Sequence, residues 1–290
     1  MRSRRTEAAF VEQATIRLDG RFDEESWRTA PLITGFIQRA PEPGAAATEE
    51  TEVRILYDTE AIYFAFRLRD SRPYSLTAPL ARRDVGFAGS DWATIFIDSY
   101  HDRRTAFIFS VNPRGVKRDV LVYGDSDEDY SWDAVWAVAT RADSLGWTAE
   151  FRIPFSQLRF DPEQTTWGLN LGRYVARKDE QSYWSPWLPS AAGYVSSFGV
   201  LSALSHLPAP RRLEIQPYAV GRLMRAPGDP ADPFYRANLL GLAMGGDLKM
   251  GLTPSLTLTA TINPDFGQVE ADPSVVNLTA FETFFPERRP

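Results

Sequence analysis

Cysteine is absent from this 290-residue chain, and histidine occurs only at His101 and His206. The first absence excludes disulfide frameworks, thiolate metal sites and cysteine nucleophiles. The second leaves almost no material for a metal centre built on two or three imidazoles. A basic excess is missing too: 32 Lys and Arg stand against 38 Asp and Glu, for a net charge of −6. That argues against a general nucleic-acid binder, because neutralising phosphates takes surplus cations. No apolar run approaches the roughly 18 residues of a spanning helix. The basic start MRSRRTEAAFVEQAT lacks the apolar stretch of about 7–15 residues found in a secretory signal. A spanning β-strand would pass both tests unseen, since its apolar residues merely alternate. No G-x-S-x-G, H-E-x-x-H or phosphate-binding glycine loop occurs.

What is present is material for a β-rich core. Hydrophobic residues make up 43% and aromatics 13%, with 8 Trp, enough for packed, half-buried strands. The length favours two domains or one large β domain. IRLDG runs into a turn, DEESW reads as one helical turn with acidic residues at its start, and PEPGAAATEE is a loop. In TEVRILYDTEAIYFAFRLRD, Val53, Ile55 and Tyr57 alternate with Arg54, Leu56 and Asp58. After a short turn, Ile62, Phe64, Phe66 and Leu68 do the same, which predicts a hairpin. DWATIFIDSY and RTAFIFSVNP form a second pair across HDRR, apolar on both faces as central sandwich strands are. VKRDVLVYG, AVWAVATRAD, GWTAEFRIPF and TWGLNLGRYVARK continue the series, with a helical turn at PFSQL. Short strands at this spacing, with few helices, predict an all-β antiparallel sandwich.

The pattern changes after the Pro-rich HLPAPRRLE. LEIQPYAVGRLMR and NLLGLAMGGDLKMG carry long alternations with small residues. In LTLTATIN, Leu256, Leu258, Ala260 and Ile262 occupy one face and Thr257, Thr259 and Thr261 the other. This is the apolar-out, polar-in hairpin of transmembrane barrels, and equally an amphipathic hairpin on a soluble core.

Several blocks carry a resemblance: DGRFDEESW, VRILYDTEAIYFAFRLRD, GSDWATIFIDSYHDRRTAFIFSVNPRGVKRD and WGLNLGRYVARKDEQSYWSPW. Together they resemble a family 9 carbohydrate-binding module. With GDLKMGLTPSLTLTATINPDFGQVEADPSVVNLTAFETFFPERRP, the chain resembles bacterial outer-membrane proteins in which such a sandwich precedes a large β-barrel. Residues 1–14 read as a disordered or partly removed leader, and the resemblance implies the sandwich over 15–204 and the first strands of an incomplete outer-membrane β-barrel over 205–290. It implies that the chain is a fragment continuing past Pro290, since closure takes at least about eight strands and there is room for about four. It places the protein in the outer membrane or periplasm, in polysaccharide catabolism, with a glycan partner and no nucleic acid. An exported protein needs a signal, so either the chain starts elsewhere or it is not exported.

Sugar recognition uses flat apolar faces flanked by planar hydrogen-bonding groups. The material is Trp132 and Trp136 in SWDAVW and Trp184 and Trp187 in YWSPW, with Arg82, Arg83, Asp84 and Asn170 as polar company. The alternative is that these rings fill the core. Asp125, Asp127 and Asp129, followed by Asp133, have the alternation of a calcium loop; the resemblance also implies structural calcium. Yet Tyr130 and Trp136 stand where an EF-hand has Gly and Glu, and a solvated acidic turn explains the run as well. Asp91 and Asp98 flank one strand on opposite faces, a poor start for paired-carboxylate chemistry. Glu150 falls on a polar face, solvated or paired with an Arg, and His101 falls in a turn. Arg82, Arg83, Arg114, Lys117 and Arg118 read as salt-bridged loops, with an anionic glycan as the minor alternative. Binding is therefore the first reading. A role in a glycan hydrolase, to which such modules are commonly attached, and a non-binding plug for the barrel are the others.

Overall fold

The computed structural model describes residues 4–12, 16–84, 89–187, 193–207, 213–225, 238–251 and 257–263. Its strands are, in order, β1 (Arg5–Glu7), β2 (Ala9–Phe10), β3 (Ile37–Ala40), β4 (Thr51–Tyr57), β5 (Ala61–Arg69), β6 (Trp92–Asp98), β7 (Ala106–Val111), β8 (Lys117–Tyr123), β9 (Asp127–Asp129), β10 (Ala137–Asp143), β11 (Gly146–Pro154), β12 (Trp167–Val175), β13 (Glu180–Tyr183), β14 (Gly199–Ser202), β15 (Leu213–Arg225), β16 (Asn238–Gly251) and β17 (Thr257–Ile262). One helical turn, α1, spans Ser26–Thr29, and a 3-10 turn spans Phe155–Gln157 where PFSQL predicts one. No helix among the described residues is long and apolar enough to cross a membrane.

Two compact units result, residues 1–210 and 211–290. In the first, a nine-stranded sheet ordered β1-β14-β12-β6-β7-β8-β9, with β13 on β12 and β3 on β13, faces a five-stranded sheet ordered β10-β11-β5-β4-β2. Alternation decides which side chains meet between them. Val53, Ile55, Phe64, Phe66 and Phe151 from the smaller sheet pack with Ile95, Ile97, Phe107, Phe109 and Leu171 from the larger. Each such side chain removed from water contributes about 1.5–3 kcal/mol. Gly146 is obligatory at the start of β11: its φ is +135°, and a Cβ there would stand 2.1 Å from the Leu68 carbonyl.

Two expectations need correction. Within the expected leader, the described residues 4–12 are not disordered: β1 pairs with β14 and β2 with β4, both parallel, so they add an edge strand to each sheet and the sandwich is not wholly antiparallel. Glu150 is neither solvated nor paired with an Arg. The outer face of the smaller sheet is covered by the N-terminal segment, where Trp27 and Ala30 pack on Leu56, Tyr63 and Ala65. Beneath that cover, Glu150 is fully buried and accepts the backbone N–H of Asp19 at 3.0 Å and of Gly20 at 2.7 Å. A periodicity of two cannot reveal a third layer.

In the second unit β15, β16 and β17 form an antiparallel three-stranded sheet. Register puts Leu213 opposite Met250, Ile215 opposite Leu248, Leu223 opposite Leu240 and Leu248 opposite Ala260 on one face. Gln216 opposite Asp247, Tyr218 opposite Gly245, and Asp247 opposite Thr261 share the other. A closed barrel is not seen among the described residues. Most of the distinctive tract expected to mark it, residues 264–290, lies outside them.

The buried carboxylates set the response to pH. Burial lifts Glu150 to about 7, against its two backbone hydrogen bonds, and lifts Asp98 to about 6. Both groups are harder to ionise folded than unfolded, so their contribution is fully present below about pH 4 and fades as pH rises through 6–7. Glu49 is the reverse. Burial alone would raise it, but hydrogen bonds from Lys178, Ser71 and Arg177 hold it at about 2, so its contribution is lost as pH falls from about 4.5 toward 2. Scanning calorimetry of the sandwich is expected to place maximal stability near pH 4–4.5, declining as pH rises to about 7. Glu150→Gln, which keeps an acceptor for both amides, should flatten that decline; an unchanged slope would overturn the assignment.

Candidate functional site

The larger sheet has a second face, away from the core. On β6, β7, β8 and β12 the even-numbered residues point there: Phe96 lies opposite Ile108 and Asn170, Thr94 opposite Ser110 and Gly172, and Ser110 opposite Arg118. β13 continues the row, with Tyr183 opposite Gly172 and Gln181 opposite Tyr174. β9 sets Glu128 opposite Val122 at the far end. Part of this face is roofed by Tyr194, Val195 and Phe198, which pack on Phe96, Ile108, Val120 and Val122. Asp125 holds the roof: its carboxylate accepts the backbone N–H groups of Tyr194 (3.0 Å) and Ser196 (2.9 Å) and the Ser196 hydroxyl (2.9 Å).

Where the roof stops, a concave pocket of about 420 Å³ remains. Phe96, Ile108, Thr94 and Gly172 belong to its floor strands, and Tyr174, Tyr183, Trp187, Tyr194, Gln181, Arg118 and Glu128 surround them. A Cβ on Gly172 would stand 3.1 Å from both the Phe96 and Tyr183 rings, so glycine keeps the floor low. The Arg118 side chain, almost wholly buried, lies 3.8 Å from the Glu128 carboxylate and 5.2 Å from the Tyr130 ring. Tyr130 donates its hydroxyl to Glu128. Burial pushes the Tyr183 phenol up to about 12 and Tyr194 well above its ordinary value, so both remain donors at any working pH. The Trp187 ring, half-buried, has the Arg39 guanidinium 3.3 Å above it; Arg39 also donates to the Trp187 carbonyl at 3.0 Å. Apolar rings beside convergent charged and neutral hydrogen-bonding groups make a receptor for a small polyhydroxylated ligand.

The tryptophans expected to act together are divided by the sheet. Trp187 is at the pocket. Trp136 is a core residue, stacked on Phe151 at 5.7 Å with its Nε1 toward buried Asp119. Trp184 is also core, and Gly199 makes room for it. Trp132 is half-buried against Phe107 and Phe109. Asn170 is spent internally: its amide donates to the Ser185 carbonyl and accepts from the Ser185 N–H. Arg82 is exposed and does not line the pocket. Arg83 and Lys117 serve the Trp132–Trp136 loop, through Asp119 (2.6 Å), Asp133 (2.6 Å) and the Trp136 carbonyl (2.9 Å). Arg118, grouped with them in the sequence, instead faces the pocket.

Asp125, Asp127 and Asp129, expected to share one calcium ion, are not brought together. Asp125 is committed to Tyr194 and Ser196, Asp127 is exposed on the β8–β9 hairpin, and Asp129 closes its own turn with Ser131. The three carboxylates do not converge, and no group of three potential ligands is found among the described residues. Asp91 and Asp98 are both buried on backbone amides, of Thr77 and Ala176 and of Asp102 and Arg103.

A family profile described as carbohydrate family 9 binding domain-like matches residues 18–187, more than half of the chain. The chain belongs to this family. A second profile, a domain of unknown function designated DUF5916, matches residues 209–290. Among solved structures, the chain is similar to a family 9 carbohydrate-binding module from Caldicellulosiruptor kristjanssonii in complex with glucose, at 16% identity and a TM-score of 0.51, over 72% of this chain and 97% of that one. The same module with cellotriose gives 17% and 0.50, over 72% and 95%. A Bacteroides uniformis protein provisionally assigned to carbohydrate binding gives 14% and 0.54, over 69% and 99%. At such identities the likeness establishes the fold. A comparison with curated proteins finds no match.

The family 9 sandwich thus has two separable sets of tryptophans. Trp184→Ala should cost about 3–5 kcal/mol in chemical unfolding, as emptying a core site does. Trp187→Ala should cost clearly less, its ring being partly in solvent. Equal losses would contradict the division.

Proposed function

We propose that this protein binds a glycan through the pocket on the outer face of its larger sheet. One observation carries the reading: half-buried and buried aromatic rings converge there with Arg118, Glu128 and Gln181 in a hollow of about 420 Å³, a size suited to one or two sugar rings. The Caldicellulosiruptor module of similar fold holds glucose in one complex and cellotriose in another, which lends it support. Recognition would combine C–H contacts on Trp187 and Tyr183 with hydrogen bonds donated by Arg118 and Gln181 to hydroxyl oxygens and donated by hydroxyls to the Glu128 carboxylate. Glu128 is the one carboxylate among the described lining residues, whereas glycosidic cleavage commonly uses two; this favours binding over hydrolysis.

The same proposal places the sandwich beside the outer membrane, facing the periplasm or the surface. Its support is the second unit. Strands β15 and β16 have 13 and 14 residues, more than the roughly 9–11 of a tilted spanning strand. One face exposes Leu213, Ile215, Leu223, Leu240, Leu242, Met244, Leu258 and Ile262, while the other carries Gln216, Tyr218, Arg222, Asp247 and Thr261 with small residues and Val220. This is the sorting that lipid outside and water inside impose.

Calorimetric titration with glucose and cellotriose is expected to give saturable binding. Trp187→Ala and Arg118→Ala should each weaken it about tenfold or more, while Trp132→Ala leaves it within about twofold. Full-strength binding in both pocket variants would sink the proposal. The membrane part is tested by flotation with phospholipid vesicles: the whole chain should float and residues 1–210 should not.

A further inference from the structure

A second hollow, of about 450 Å³, lies on the other sheet, where the N-terminal turn crosses β10 and β11. Gly20 lets that crossing be close: its φ is +77°, and a Cβ would meet the Arg141 Cβ at 3.0 Å. The turn is pinned from below by Glu150 and by the Thr148 hydroxyl, which donates to the Gly20 carbonyl at 2.7 Å. Arg21 and Phe22 are thereby set beside Arg141, Arg67 and Asp143.

Three guanidiniums meet one carboxylate in this hollow. Arg67 and Asp143 neutralise each other through two parallel hydrogen bonds, at 2.6 and 2.9 Å, which also hold the Asp143 carboxyl below its ordinary range. Among the described residues, the guanidiniums of Arg21 and Arg141 have neither a hydrogen bond nor an ion pair. Two planar forks without a hydrogen-bonded partner, Arg141 in the field of the already paired Asp143, therefore line the hollow with one half-buried ring, Phe22, in a chain whose net charge is −6. Concentrating like charge in a concave place costs energy unless an anion relieves it. Guanidinium forks match carboxylate and sulfate oxygens in pairs, and the Phe22 ring offers a surface for C–H groups.

We propose that this hollow is a second binding site, for the acidic group of an anionic sugar such as a uronic acid. Arg21 and Arg141 grip the oxyanion, Arg67 is held in place by Asp143, and Phe22 supports the ring that bears the charge. The site is independent of the pocket on the larger sheet and does not require that pocket to bind sugar.

The test is calorimetric titration of the whole chain, in non-ionic detergent, with glucuronate, glucose and inorganic sulfate. Glucuronate should bind more tightly than either of the others, and more weakly as salt rises from about 0.05 to about 0.5 M. Arg21→Ala with Arg141→Ala should reduce glucuronate affinity about tenfold or more; both side chains are exposed, and an unchanged melting temperature confirms that the fold survives. The paired Lys substitutions, which keep charge but lose the fork, should fall between. Trp187→Ala should leave glucuronate binding intact. Absence of glucuronate binding, insensitivity to the paired Ala variant, or loss in Trp187→Ala would overturn the proposal. Sulfate binding as tightly as glucuronate would overturn the sugar assignment.

Discussion

Strands β6 and β7 must exclude water from both faces. Ile95, Ile97, Phe107 and Phe109 turn one way; Phe96, Ile108 and Ala106 turn the other. The smaller sheet covers the first set. The second needs separate cover, and the segment from Tyr194 to Phe198 supplies it, tied down by Asp125. Asp125 itself adopts a positive φ of 82°, a backbone conformation that aspartate tolerates better than most residues. The pocket is what that cover leaves open. Its aromatic lining is the continuation of a hydrophobic patch whose remainder is sealed.

A buried charge network ties the two sheets at one end. Arg173 of β12 donates to the carbonyls of Glu50 at 3.0 Å and Arg69 at 2.7 Å, beside β4 and on β5. Asp70, itself buried, bridges Arg173 at 3.8 Å and Arg177 at 2.7 Å. Desolvation lowers Arg173 to about 10, yet it stays charged at neutral pH. Removing one member of such a network strands its partners, at a cost of about 3–5 kcal/mol. The network also fixes the end of β12 from which Gly172 and Tyr174 reach the pocket.

Much of the sandwich was legible because alternation and turns are local. The β4–β5 and β6–β7 hairpins and the helical turns at DEESW and PFSQL stand where their residues predict them. The doubly apolar pattern of DWATIFIDSY and RTAFIFSVNP already implied a second covered face. It did not say what covers it, because Tyr194 and Phe198 lie far along the chain. Trp184 and Trp187 illustrate the limit. Three residues apart around a proline, they look alike in sequence, yet one is a core residue and the other lies at the pocket. Arg118 is misgrouped in sequence for a similar reason: VKRDVLVYG reads as a strand, but its charged start groups with the salt-bridged loops, whereas strand parity turns Arg118 toward the pocket. The acidic run from Asp125 to Asp129 suggested a shared ligand, whereas each carboxylate answers a different neighbour.

The short strands β1 and β2 have a role out of proportion to their length. Glu7 and Ala9, one residue apart, lie in strands that finish opposite sheets, β1 beside β14 and β2 beside β4. The peptide between them is a staple across the open side of the sandwich. A protease nick or a misplaced fusion joint there would bare a row of unsatisfied amides on each sheet at once. The loss would appear less as lowered affinity than as sticky borders, with neighbouring molecules zipping together strand to strand.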